Sequence, residues 1–264
     1  MLKTLNKYLY IMYTSYKNYT VYSYDILWKI LTFGFRICVI ILLYKVIFET
    51  YWTQSGFNFA QATWAVIFSQ IFATSNISIT NMIDSDIKSW KIWIQLLNPF
   101  SYTVFKFLEL SPKILFYFSL LSVVGLLIGY FFLWWFWFSL LGILWGIIVF
   151  IGSFLINFLW YMIIWLLGFY TEDTEAFRWI YHKMIMVFGW NLLPVNFLPS
   201  ILQSFAFFSP FIYTWYSMWI TFVDFQLYNF LKSFGIMIFW IVLYLTIMNI
   251  LYKNAIKRLN INWW

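Results

Sequence analysis

The chain has 264 residues, of which 64% are hydrophobic, 27% aromatic and only 9% charged, with a mean hydropathy of +0.81 and a formal net charge of +7. A soluble domain is about half apolar and roughly 25% charged, so this composition excludes an ordinary soluble fold and implies an all-α, polytopic membrane protein. In that setting a basic excess marks cytoplasmic loops, and no nucleic-acid partner is expected.

The catalytic inventory is small. One cysteine, Cys38, and one histidine, His182, support no disulfide framework and no zinc or haem site. No Gly-Lys pair occurs, which excludes a phosphate-binding P-loop, and no GxSxG elbow occurs. Function is therefore expected from shape, spans and partners rather than from catalysis in this chain.

Residues 1–24 carry Lys3, Lys7 and Lys17 on one helical face and Leu2, Leu5, Leu9, Met12 and Tyr16 on another. That pattern predicts an amphipathic helix lying in the membrane interface. The first span is expected at 27–48, with Lys29, Arg36 and Lys45 inside it, and the second, rich in Ser, Thr, Gln and Asn, at 59–83. Lys113 and Glu172 then bracket 58 uncharged residues. Three spans with turns need more than about 60 residues, so two long helices are expected, turning near "WWFWF" (134–138), where Trp favours the headgroup level. "GLLIG" (125–129) and "GILWG" (142–146) space glycines for close helix packing. "TEDTEAFRW" (171–179) offers Thr171 or Thr174 as a cap, with acids in the first turn of a fifth span over 177–193. "LLPVNFLPSILQSFAFFSPF" holds three of the five prolines, so 194–230 is expected as a re-entrant or outer helix pair. A sixth span over 234–252 and the basic "KNAIKRLN" close the chain.

Six spans place both termini on one side. Of the 16 Lys and Arg, Lys45 and Lys232 fall near the outer side, Arg36 falls within the membrane, and the others fall inside. The positive-inside rule thus puts both termini, and the segment between spans two and three, in the cytoplasm. That segment reads "DSDIKSWKIWIQLLNPFSY". Ile83, Ile87, Trp90, Ile94 and Leu97 form one stripe and Asp84, Lys88, Lys91, Gln95 and Asn98 another, predicting an amphipathic helix about 24 Å long over 83–98. Pro99 ends it.

Taken with its flanks, this segment resembles that of the permease subunits of type-2 ABC exporters, in the branch with six spans. The likeness is carried in order by "YIMYTSYKNYTVYSYDILWKI", "DIKSWKIWIQLLNPFSYTVFKFLEL", "LLGFYTEDTEAFRWIYHKM", "LLPVNFLPSILQSFAFFSPFIYTWY" and "LYKNAIKRLNINWW", so it runs almost end to end. Trp90 stands where a glycine is common, and Asn98 where a basic residue often precedes the proline. The resemblance implies one permease domain over 1–264, in a bacterial plasma membrane. It implies partnership with a second permease, identical or a sister, and with separate ABC ATPase subunits. No cofactor is implied in this chain, and ATP and magnesium would be bound by the ATPases. It also implies that 83–98 is the coupling helix, with Asp84, Asp86, Ile87, Lys88, Trp90, Lys91 and Ile94 docking on an ATPase.

Arg36 lies about 12 Å beyond Trp28 along a helix. It is the candidate contact for an anionic substrate headgroup, against a structural or snorkelling role. The rival class is a structural membrane subunit of a respiratory or other organelle complex, which the aromatic composition also fits.

Overall fold

A computed structural model describes residues 2–20, 23–50, 58–75, 102–133, 140–168, 170–171, 174–189, 195, 198–223 and 225–261. Among the described residues every extended element is a helix: α1 (Leu2–Thr20), α2 (Ser23–Thr50), α3 (Phe59–Ser75), α4 (Tyr102–Leu133), α5 (Leu140–Leu167), α6 (Glu175–Phe188), α7 (Ser200–Phe208), α8 (Ile212–Val223) and α9 (Leu227–Ile261). Four of them are long and apolar enough to cross a bilayer, over Tyr24–Glu49, Tyr102–Leu133, Leu141–Leu167 and Leu227–Ala255. Two of these are the pair of long helices expected in the uncharged stretch.

Side-chain registers set the directions. Lys29 meets Tyr117 and Gly34 meets Ile128, so α2 and α4 run parallel. Trp64 meets Gly129 and Ile71 meets Gly125, so α3 runs against α4. Tyr102 stacks on Trp165, Phe107 on Phe154, and Phe118 approaches Phe150, so α5 also runs against α4. Trp145 faces Phe230, Gly152 faces Met237 and Trp160 faces Tyr244, so α9 runs parallel to α5. One end of the bundle, the near end, therefore holds the starts of α2 and α4 and the finishes of α3, α5 and α9.

The core is built around α3 and α5. The described α3 is a 17-residue helix carrying Thr63, Ser69, Gln70 and Ser75 among its buried positions. It lies between α2, α4 and α8. Its polar groups are tolerable because a helix satisfies its own backbone and Ser69 and Ser75 donate to the carbonyls of Val66 and Phe72, at 3.0 Å each. Small residues let neighbours close in. A Cβ on Gly125 would stand 2.9 Å from Ile71 Cδ1, and one on Gly129 would overlap the Trp64 ring. The "GLLIG" stretch thus packs closely as its spacing predicts. Gly146, from "GILWG", instead receives the Phe222 ring of α8, 2.6 Å from where its Cβ would be.

The backbones of α4 and α5 make little direct contact, and aromatic rings fill the space between them. Phe118 and Phe150 have centroids 4.1 Å apart, Tyr102 and Trp165 4.8 Å, Phe107 and Phe158 5.2 Å. Such pairs contribute about 0.5–1.5 kcal/mol each beyond the area they bury.

At 32 residues, α4 is about 48 Å long and outruns a hydrocarbon core of about 30 Å. Its charged residues Lys106, Glu109 and Lys113 all fall in the near-end half, and the uncharged part over 114–133 is about 30 Å long. α1 packs on α4 at this changeover, with Tyr16 edge-on to Phe116 at 5.9 Å. Lys7 and Lys17 of α1 are exposed.

The stretch expected as one fifth span has a different form. α6 is 14 residues, about 21 Å, and ends at the Gly189 cap. It starts beside the finish of α5, where Thr174 touches Gly168, and climbs to bring Tyr181 against Asn157. α8 starts where Tyr213 accepts from Ser153, about 21 Å from the near end of α5, and continues to Gly146 near the far end. α6 and α8 therefore each follow about half of α5. Between them Pro199 and Pro210 bracket the short α7, because proline withholds a backbone donor and stops a helix. Residues 190–194, the end of the expected 177–193 span, lie outside the described residues.

Candidate functional site

The sequence-derived docking residues Asp84, Asp86, Ile87, Lys88, Trp90, Lys91 and Ile94 lie outside the described residues. The element they lead into is described. α4 opens with Tyr102, 1% exposed and stacked on Trp165 of α5, and one turn later comes Lys106, 2% exposed. A buried ammonium needs a partner. Lys106 Nζ donates to Glu109 Oε2 at 2.7 Å, an i,i+3 pair, and lies 5.8 Å from the Tyr102 and Phe105 ring centroids. The charge-assisted bond and the two ring faces compensate the lost hydration. The Tyr102–Trp165 stack, centroids 4.8 Å apart, joins the foot of α4 to the foot of α5.

A second group of charges sits one to two turns farther along. Lys29 Nζ of α2 lies 3.7 Å from the Tyr117 centroid of α4, close enough for a cation–π contact. Asp25, in the first turn of α2, acts electrostatically on Lys29, Lys113 and Tyr117. Lysines from two helices and two carboxylates therefore ring the level where the uncharged part of α4 begins. Such a collar can hold its helices at the headgroup level and attract anionic headgroups.

Arg36 is exposed on α2, apart from Lys29, which is half-buried against Tyr117. The apolar residues Phe35, Val39, Leu42 and Leu43 around it are exposed too. The structure does not enclose Arg36 in a cavity of this chain. It faces outward from the bundle, about 18 Å from Tyr24.

The α5–α6 junction was partly legible. Arg178 Nη2 meets Glu175 Oε1 at 3.3 Å, as expected of the acidic start of α6, and Lys183 stacks on Trp179 at 5.4 Å. Thr174 occupies the N-cap position without a side-chain cap bond, while Thr171 Oγ1 donates to the Leu167 carbonyl at 3.1 Å. The buried bond from Tyr181 Oη to Asn157 Oδ1, 2.9 Å, had no signal in the sequence, since its partners are 24 residues apart. Lys106 had a weak one, the i,i+3 spacing to Glu109 in a sequence otherwise poor in charge. His182 is exposed on α6 and Cys38 is half-buried on α2. Among the described residues no group of three His, Cys, Asp or Glu could hold a metal ion.

Four membrane-length apolar helices packed in an all-helical bundle define a polytopic membrane protein. No protein-family model matches the chain, and no curated protein matches it either.

Proposed function

We propose that the chain is the membrane-spanning permease subunit of an ABC exporter, moving a substrate outward with energy from ATP hydrolysed by separate ATPase subunits. The near end is then cytoplasmic, and 83–98 is the coupling helix that docks on an ATPase. α6 followed by α7 and α8 forms a divided fifth crossing with a re-entrant, outer part. The exposed face of α2 meets a second permease, and Arg36 lies along the path between the two halves.

The observation that carries this reading is the aromatic stack at the foot of α4. Helix α4 begins just after the docking segment, Tyr102 in its first turn stacks on Trp165 of α5, and Lys106 is buried one turn later. A displacement of 83–98 would pass into α4 and, through Trp165, into α5, because packed interiors transmit strain. The order of elements supports it too: an amphipathic helix before the first span and short proline-flanked helices before the last are features of the exporters the sequence resembles.

The test is affinity purification of the tagged full-length chain from its own membranes. An ATP-hydrolysing subunit should co-purify, and replacing Trp90 and Lys91 with Ala should release it while the thermal midpoint of the chain stays unchanged. Co-purification with respiratory subunits and no ATPase would overturn the reading in favour of a structural membrane subunit. Unchanged ATPase capture by the double variant would overturn the docking assignment.

A further inference from the structure

Helices α7, α8 and α9 enclose a cleft of about 380 Å³, within the range of small-molecule sites. Its α9 wall passes from polar to apolar, and Tyr213 and Ile220 of α8 line it as well. On α9 the positions Asn229, Lys232, Ser233 and Ile236 line it at i, i+3, i+4 and i+7, one helical face. The first three are polar and lie toward the far end, and the fourth is apolar and lies about 4–10 Å farther along the helix axis. Ile212 of α8 and Phe207 of α7 complete the apolar floor. This floor lies near the middle of α5, where Ser153 meets Tyr213.

The polar end is suited to an anion. Lys232 supplies an ammonium, and no carboxylate occurs among the described residues lining the cleft. Asn229 Nδ2 donates one proton to Gln226 Oε1 at 2.7 Å and keeps a second. Ser233 adds a hydroxyl. Ser217, 4% exposed, lines the opposite wall with its hydroxyl turned to the Tyr213 carbonyl at 3.2 Å, so its oxygen accepts but its proton is committed. Three residues that carry donors line the cleft on this face of α9. The apolar floor beyond them is poorly suited to water, which needs two to four polar partners.

We propose that this cleft binds an anionic amphiphile, with a phosphate or carboxylate headgroup at Lys232, Asn229 and Ser233 and an alkyl chain running down to Ile236, Ile212 and Phe207. The site goes beyond the transport reading and does not depend on it. A bilayer lipid and a free single-chain amphiphile share this chemistry.

The purified full-length chain in a neutral detergent is titrated with dodecyl phosphate, phosphatidylglycerol, phosphatidylcholine and inorganic phosphate, and bound ligand is counted by native mass spectrometry. Dodecyl phosphate should bind, and phosphatidylcholine and inorganic phosphate should not. Binding of phosphatidylglycerol as well identifies a bilayer headgroup as the source, and its failure to bind identifies a free single-chain amphiphile. Lys232→Ala should weaken dodecyl phosphate binding about tenfold, the effect of one lost charge-assisted bond. Lys232→Arg should keep it, and Ile236→Trp, which fills the floor, should remove it. Lys253→Ala, at the other end of α9, should leave it unchanged. Equal binding by wild type and Lys232→Ala, or by wild type and Ile236→Trp, overturns the proposal, as does equal binding of phosphatidylcholine.

Discussion

Gly129 shows how one missing side chain shapes this bundle. Trp64 is fully buried on α3, and its ring occupies the space a Cβ on Gly129 would take. The indole is rigid and enclosed, so it has nowhere to retreat. Gly129→Val should cost about 1–3 kcal/mol, the usual penalty of overpacking, and lower the thermal midpoint in detergent. Gly34→Ala is the control. Its new Cβ would meet Ile128 at 3.7 Å, ordinary contact, so stability should hold or rise slightly because alanine is the better helix former. An equal loss in both variants would show that glycine flexibility, not space, matters at these positions. The "GLLIG" spacing flagged close packing in advance. That Trp64 is the residue received could not be read from it, because nothing local links positions 64 and 129.

At the scale of elements, α4 and α5 are held together by rings. Along an antiparallel pair, aromatic side chains span a gap too wide for the backbones to make many contacts, which is why Phe107, Phe118 and Tyr102 find partners on α5. In a double-mutant cycle, Phe118→Ala and Phe150→Ala should show a coupling of about 0.5–1.5 kcal/mol, read from thermal unfolding. A coupling near zero would mean that the two rings fill space independently. The existence of these two helices followed from 58 uncharged residues, too few for three spans. The separation of α6 from α8 was only half legible. The prolines signalled a break, but apolar content alone continued the span to residue 193. α6 ends at Gly189, whose N–H donates to the Ile185 carbonyl, and α8 follows the other half of α5.

For the whole molecule, the decisive position is Arg36. A guanidinium facing hydrocarbon near mid-span costs about 2.5–3.5 kcal/mol on insertion scales, and this bundle leaves it exposed. If Arg36 serves the substrate path between two permeases, Arg36→Leu should leave the isolated chain as stable or more so and lower transport of an anionic substrate in reconstituted vesicles. Transport at the wild-type rate would remove Arg36 from the path. Sequence alone determined that this is a helical membrane protein with two long helices in its uncharged stretch, because hydrophobicity and length act locally and need no partner. Only the tertiary structure decided that the polar α3 sits in the centre, that Lys106 is buried against its own helix, that α6 and α8 are separate short helices along α5, and that a cleft opens beside Lys232. Each of those depends on which distant side chains meet, and a lysine or a serine carries the same local signal whether it faces water, lipid or a ring.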